Sequence, residues 1–415
     1  MNRRRITSEE IEYNLLNLKQ LTIEVTDACN LKCKYCGYGE LYAGYDKREA
    51  KYLDFNKIRI LIDYLIDLWN KGIPDSQCPQ TYISFYGGEP LLNMSLIIQV
   101  VNYIKSRNIT REIVFSITTN AILLDKYIDY LVENDFHVLI SIDGDRHNHS
   151  YRVDHSGNNS FDRVYNNIKL LQQKYPEFFN LNVNFNAVLH NRNTISEILG
   201  FIYSEFSKKP RIAELNTSGI RPDKLVQFNK MYRNKQDSIN QSIDCDSLIQ
   251  NLGVGVPSTN DLLLYLHQYS GNVFRNYNDL LVDPDKIQHT PTGTCSPFSK
   301  KMFLTVNGKI LQCERIDHSF ALGFVSDSGV EIDTELIAHK FNTFLDLMQK
   351  QCSQCYRKNN CSQCVYYIPK LISSNPTCNA FMDKSAFKLY ESYCLTHLQT
   401  HPYLYDTLMR DVHLE

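Results

Sequence analysis

The sequence predicts an α/β fold: an open, partial (β/α)6 barrel over residues 20–215, followed by a cysteine-rich domain over 292–380. Three observations carry this. Six strand-like segments alternate with helix-patterned segments, which predicts a parallel sheet with right-handed crossovers. Glycine and polar signals fall just after the strands, at the end where parallel α/β folds place their chemistry. The 13 cysteines of this 415-residue chain are bunched: three lie in 29–36 and four in 352–364.

Residues 1–19 form an N-terminal extension. The first strand is 20–26 (LTIEV at its heart), and 55–69 repeats Ile58, Leu61, Ile62, Leu65 and Leu68 at helical spacing. Strand 81–86 ends at Gly87-Gly88, and a helix follows over 96–104. Strand 112–118 ends at Thr119-Asn120, with a helix over 124–132. Strand 136–142 ends at Asp143-Gly144, with a helix over 161–172. Residues 181–189 alternate as a strand, and Thr194 with Glu197 makes a capping box for the next helix. The sixth strand is 211–215. Six units are too few for a closed eight-unit barrel. Residues 216–291 are polar and weakly periodic, with a helix near 262–268; we read them as a bridging segment. In 292–380, segments 302–306 and 310–312 flank Asn307-Gly308, a hairpin signal. Residues 381–415 close the chain as a helical segment.

Lys+Arg 44 against Asp+Glu 46 gives a net charge of -2, so no global basic field points to nucleic acid. No apolar run reaches membrane-spanning length, and 1–5 lead into polar sequence rather than a signal-peptide core. Cysteine at about 3% is far below a disulfide scaffold. An odd count without a signal peptide points to reduced thiols in a cytoplasmic protein.

Cys29, Cys33 and Cys36 follow the first strand directly. Three thiolates on one loop can hold three irons of a four-iron cube, leaving the fourth open. Zinc, with four protein ligands or three plus water, and unrelated thiols are the other readings of this spacing. The C-x3-C-x2-C segment, with Tyr35 before its last cysteine, resembles the signature of the radical S-adenosyl-L-methionine (SAM) enzymes. Other motifs of that family follow in order. Gly87-Gly88-Glu89-Pro90 resembles the segment that binds the SAM amino group. Glycines there permit close backbone approach, and Glu89 offers the ammonium a charge partner. Thr119-Asn120 resembles the ribose-side stretch, with Ala121 in place of the usual glycine. Ser141 and Asp143 fall in the next strand-end motif. Arg152 stands where relatives carry an arginine for the SAM carboxylate; the alternative is a surface arginine. Asn184 and Asn186 share one strand face, pointing into the barrel or serving as sheet polars. The resemblance implies a TIM-like radical SAM core, with a [4Fe-4S] cluster that reductively splits SAM. The resulting 5′-deoxyadenosyl radical then abstracts a substrate hydrogen.

The later cysteines run Cys295, Cys313, Cys352, Cys355, Cys361, Cys364, Cys378 and Cys394. This pattern resembles the SPASM domain of peptide-modifying radical SAM enzymes, with two residues rather than three between Cys361 and Cys364. It implies two auxiliary [4Fe-4S] clusters. The first takes Cys295, Cys313 and Cys364, with Cys394 or a substrate thiolate as the fourth ligand. The second takes Cys352, Cys355, Cys361 and Cys378. A zinc site built from the CxxC pairs is the plainer alternative, though their five-residue separation is short for one. Cys78 and Cys245 read as ordinary thiols.

Residues 151–161, 185–190 and 308–315 resemble radical SAM peptide maturases, in particular those of Bacteroidetes-type double-glycine leader peptides. Such enzymes act on ribosomally made precursor peptides and install crosslinks, thioether first and carbon–carbon second. Sulfatase-maturing enzymes share the architecture and use a carboxylate after a cysteine as base. Glu314 after Cys313 is therefore a candidate base, and Asp317 a weaker one; the alternative is a charged residue near a cluster. The implied partners are a precursor peptide with its leader and an electron donor such as a flavodoxin or ferredoxin, with neither nucleic acid nor membrane. Only 28 residues precede Cys29, too few for a winged-helix leader-binding domain. A separate protein, the bridging segment or a barrel edge is then expected to hold the leader. A non-catalytic iron–sulfur or zinc protein that binds peptide is the different-class rival.

Overall fold

The computed structural model describes residues 5–71, 80–270, 273–274, 292–372, 376–410 and 413–414. The first six strands are β1 (Gln20–Thr26), β2 (Gln80–Gly87), β3 (Glu112–Thr119), β4 (His137–Ser141), β5 (Val183–Leu189) and β6 (Arg211–Glu214). Each pairs in parallel with the next, so chain order equals spatial order. Helices cross between them, including Phe55–Lys71, Met94–Lys105, Phe161–Lys174 and Ile195–Phe206. The last opens on the capping box: Glu197 N–H donates to Thr194 Oγ1 at 3.2 Å, and Thr194 N–H to Glu197 Oε2 at 2.8 Å. This is the (β/α)6 arrangement expected from the alternation.

Register sorts the side chains. Ile23, Phe85, Ile117, Ile140 and Phe185 fall on one face and are almost fully buried. Phe85, Phe115 and Phe136 stack there at 5.7–6.5 Å. The alternate positions carry Thr22, Glu24, Ser84, Tyr86, Ser116, Thr118, Ser141 and Asn186. An apolar face against helices and a polar face toward a site follow from the two-residue period.

The sheet then extends beyond six strands. A dipeptide strand, β7 (Val273–Phe274), lies elsewhere, paired with His413–Leu414. β8 (Met302–Leu304) lies parallel to β1 on the side away from β2. β9 (Lys309–Leu311), β10 (Gly323–Ser326) and β11 (Gly329–Ile332) follow antiparallel, completing a ten-stranded sheet. The predicted hairpin at Asn307-Gly308 is the β8–β9 turn, with Gly308 at φ +89°.

Two compact units result: one of residues 9–234 and 297–334, the other of 1–8, 235–296 and 335–415. They cut across the boundaries expected at 215/216 and 291/292, because 297–334 belongs to the large sheet. The bridging segment is more helical than its weak periodicity suggested. It holds Leu225–Met231, Lys235–Asn240, Cys245–Leu252 and Pro257–Ser270, mostly too short to show a repeat. The closing helix, Lys384–Thr400, is capped by Asp383, whose carboxylate accepts from Ala386 N–H at 2.8 Å. Among the described residues, no helix is long and apolar enough to cross a membrane.

Candidate active site

The cysteine loop leaves β1 and is strapped to the 151–155 segment. Lys32 N–H donates to Val153 O at 2.7 Å, Lys34 N–H to Tyr151 O at 3.0 Å, and His155 Nε2 lies 2.8 Å from Cys29 O. Cys29, Cys33 and Cys36 are partly buried free thiols. They are close enough to repel one another as thiolates. Burial pushes Cys29 and Cys33 up to about 12, so as bare thiols they stay protonated. A thiolate-bound cluster fits this donor set, since iron would supply the positive charge that three neighbouring thiolates need. Among the described residues, no three His, Cys, Asp or Glu groups converge as one metal ion requires.

Gly87 and Gly88 press the end of β2 against this loop. Gly88 N–H donates to Thr26 O and Glu89 N–H to Ala28 O, both at 2.9 Å. Glu89 is 1% exposed and ties two strand ends together. Its Oε1 accepts from Leu91 N–H at 3.1 Å and Thr119 Oγ1–H at 2.7 Å, and its Oε2 from Asn120 N–H at 2.8 Å. Asn120 Nδ2 reaches Asn30 Oδ1 at 2.7 Å and Cys29 Sγ at 3.8 Å. Ala121 holds φ +62°, a left-handed conformation that a glycine would take freely. Pro90 opens the short 3-10 helix Pro90–Asn93, where a missing N–H costs nothing.

Burial raises Glu89 to about 7, against the three hydrogen bonds, which lower it. The folded chain therefore binds an extra proton between pH 4.5 and about 7, and stability falls as pH rises through that window. In the apo protein, Glu89→Gln is expected to flatten this slope, as read by denaturant unfolding at several pH values. Equal slopes for the two proteins would refute the assignment.

At the end of β4, Asp143 is fully buried. Arg152 holds it bidentately, Nε to Oδ2 and Nη2 to Oδ1, both at 3.0 Å. Tyr35 O–H also donates to Asp143 Oδ2, and Val188 N–H to Oδ1 at 2.9 Å. Arg152 is 7% exposed, which removes the surface-arginine alternative. Ser141 is buried, and Asn186 lies beside it in register. Asn184 is exposed.

Glu314 lies on the loop after β9. Burial would raise its carboxyl, but Lys301, with Nζ 3.0 and 3.3 Å from its oxygens, holds it below the usual range. Cys313 Sγ is 3.5 Å from Glu314 Oε2, and Tyr38 O–H donates to Glu314 O at 3.2 Å. Tyr38 also meets Tyr45 at 4.9 Å and Tyr86 at 6.4 Å. Sequence reasoning missed Lys301, Tyr38 and Tyr86. Tyr38, two residues past Cys36, was the one with a positional signal. Asp317 instead caps a turn, accepting from Ser319 N–H at 2.8 Å.

In the second unit, Cys352, Cys355, Cys361 and Cys378 line one cavity together with Arg357 and Lys358. Four free thiols around one space fit a fully ligated cluster. Cys295 and Cys364 are near enough to couple electrostatically. Cys313 belongs to the sheet unit. Cys394 is fully buried, with Tyr390 as its hydrogen-bond partner and Asp261 and Arg357 nearby. Cys245 is a half-buried free thiol, and Cys78 lies outside the described residues.

Residues 23–202 match the family model described as the radical SAM superfamily. The chain is 25% identical over 380 residues to the radical SAM cyclopropyl synthase TigE of Paramaledivibacter caminithermalis, covering 90% of this chain and 72% of that protein. It is 31% identical over 198 residues to a cysteine-type anaerobic sulfatase-maturating enzyme of Clostridium novyi, covering 46% of this chain and 49% of that one. Its fold is similar to that of native anSMEcpe with bound AdoMet and the Kp18Cys peptide. There the TM-score is 0.58 at 17% identity, covering 94% of this chain and 99% of that one. With three thiols and four motif-bearing strand ends gathered at one end of a parallel sheet, this match establishes that the chain carries a radical SAM domain.

Proposed function

We propose that the chain is a radical SAM maturase that crosslinks a ribosomally made precursor peptide, a thioether being the leading product and a carbon–carbon bond the second. The observation that carries this reading is the set of three thiols packed against Gly87-Gly88, Asn120 and the Asp143–Arg152 pair. When bound, the Cys29/Cys33/Cys36 cluster supplies the electron that splits the sulfonium bond of SAM and so yields the 5′-deoxyadenosyl radical. The residues around it bind and orient. Gly87-Gly88 let backbone reach the SAM amino group, Asn120 serves the ribose side, Asn186 contacts the cofactor from β5, and Arg152 serves the carboxylate. Burial of Glu89, Asp143 and Arg152 keeps water from the loop.

A peptide substrate is supported by the peptide in the structurally similar complex and by the sulfatase-maturating relative. Glu314 is the proposed base, held ionised by Lys301. One auxiliary cluster occupies the Cys352/Cys355/Cys361/Cys378 cavity, and Cys295 with Cys364 serves the other. A flavodoxin or ferredoxin delivers the electron, and a separate protein, the bridging segment or a barrel edge binds the leader.

The test is anaerobic co-expression with a precursor peptide encoded beside the gene, followed by mass spectrometry. The expected product has lost two hydrogens per linkage. Fragmentation separates a bond between two residues from a cyclopropyl ring, the product in the name of the TigE relative. An unmodified peptide together with formylglycine in a co-expressed sulfatase overturns the crosslinking reading in favour of the sulfatase-maturing one.

A further inference from the structure

Asp143 is a buried carboxylate that two separate parts of the site share. Tyr35 lies inside the cysteine loop, between Cys33 and Cys36, and donates its hydroxyl to Asp143 Oδ2. Arg152 lies on the strap beside that loop and grips both oxygens of the same carboxylate at 3.0 Å. Val188 N–H, on β5, fills a further acceptor position at 2.9 Å. The backbone is tied as well: Asn193 Nδ2 donates to Asp143 O at 3.2 Å, and Asp143 N–H points to His149 Nδ1 at 3.4 Å. Asp143 is therefore saturated from within the protein, and it is 0% exposed. An acceptor so enclosed has no free face for a cofactor. Arg152 commits Nε and Nη2 to the pair, so Nη1 is the guanidinium nitrogen that Asp143 does not engage.

We propose that Asp143 is a positioning residue: it locks the cysteine loop, through Tyr35, to the guanidinium of Arg152, so that cluster and SAM carboxylate meet in one fixed frame. This rests on the proposed radical SAM activity and changes the role first expected of Asp143, from touching SAM to aiming the groups that do. Bidentate pairing fixes a guanidinium in plane and direction, which a single hydrogen bond does not. The phenol tether does the same for the middle of the cysteine loop. Groups behind a metal site commonly govern it in this way.

The test uses the reconstituted full chain under anaerobic conditions. Asp143→Asn keeps the shape but loses the charge and one acceptor. Its SAM dissociation constant is expected to rise at least about tenfold while iron at the first cluster is retained. The change in the reduced cluster's EPR line shape on adding SAM is expected to be lost. Tyr35→Phe removes only the phenol oxygen. It is expected to alter the EPR spectrum of the SAM-free cluster and to weaken SAM binding less than Asp143→Asn does, since the Arg152–Asp143 pair is kept. Unchanged affinity and line shape in Asp143→Asn, or an unaltered SAM-free spectrum in Tyr35→Phe, overturns the proposal. Should Asp143→Asn fail to fold, Tyr35→Phe carries the test. A wild-type chain that binds neither cluster nor SAM overturns the functional reading instead, before any variant is compared.

Discussion

Gly88→Ala is expected to lower 5′-deoxyadenosine formation at least about a hundredfold, the scale of loss when reacting groups shift by about 1 Å. A Cβ at position 88 would fall 2.0 Å from Ala28 O and 2.9 Å from Asp27 O. Both obstacles are backbone, so no side chain can swing aside. Relief requires breaking the Gly88–Thr26 and Glu89–Ala28 hydrogen bonds, and Ala28 directly precedes Cys29. The displacement therefore passes straight to the first thiol. Iron at the first cluster and the melting temperature of the apo chain are expected to fall together. Gly87→Ala is equally blocked, with Thr26 O at 2.2 Å and φ at +141°. Gly200→Ala is the control. Nothing lies within 4 Å of its added methyl, and it sits inside the Ile195–Phe206 helix. That change is expected to be neutral or stabilising by about 0.5–1 kcal/mol. A Gly88→Ala protein with wild-type cleavage would show that the close approach is not needed.

Arg152→Leu is expected to destabilise the apo chain by about 3–5 kcal/mol at neutral pH, the cost of leaving one partner of a buried pair unpaired. Burial by itself raises the Asp143 carboxyl, but Arg152 with His190 and His149 outweighs it and holds it well below the ordinary carboxylate range. A depressed pKa contributes stability that is present above the unfolded value of about 3.9 and lost as pH falls through the folded value. Removing Arg152 lets burial dominate, so the carboxyl takes a proton more readily. The gap between wild type and variant is thus largest near neutrality and shrinks on acidification. Denaturant unfolding at pH 7 and near pH 4 measures it. A gap that does not change with pH would mean the charge pair is not its source.

Much of the site was legible before the fold. Parallel strands deliver every following loop to the same end of the sheet, so Cys29, Gly88, Asn120 and Asp143 could be placed together from alternation alone. What each residue grips was not legible. Asp143 and Arg152 each read as a cofactor contact, yet they hold one another across nine residues of chain in an interaction with no sequence period. Glu89 read as a partner for the SAM ammonium, whereas its carboxylate spans the ends of two strands. The hairpin at Asn307-Gly308 was visible as local turn chemistry. Its docking beside β1 was not, because Met302 meets Leu21 across some 280 residues and local patterning carries no record of such pairing. Lys301 stayed hidden for the same reason: nothing in the spacing to Glu314 announces an ion pair.

The account stands on three thiols forming the radical-generating centre, and one comparison tests that most directly. Wild-type chain and a variant with Cys29, Cys33 and Cys36 all changed to Ala are reconstituted with iron and sulfide. Iron content and SAM cleavage to 5′-deoxyadenosine are then measured under anaerobic reducing conditions. The expected result is about twelve irons in the wild type and about eight in the variant, as three and two four-iron cubes require, with cleavage lost in the variant. Cleavage that survives the loss of all three thiols would contradict the account.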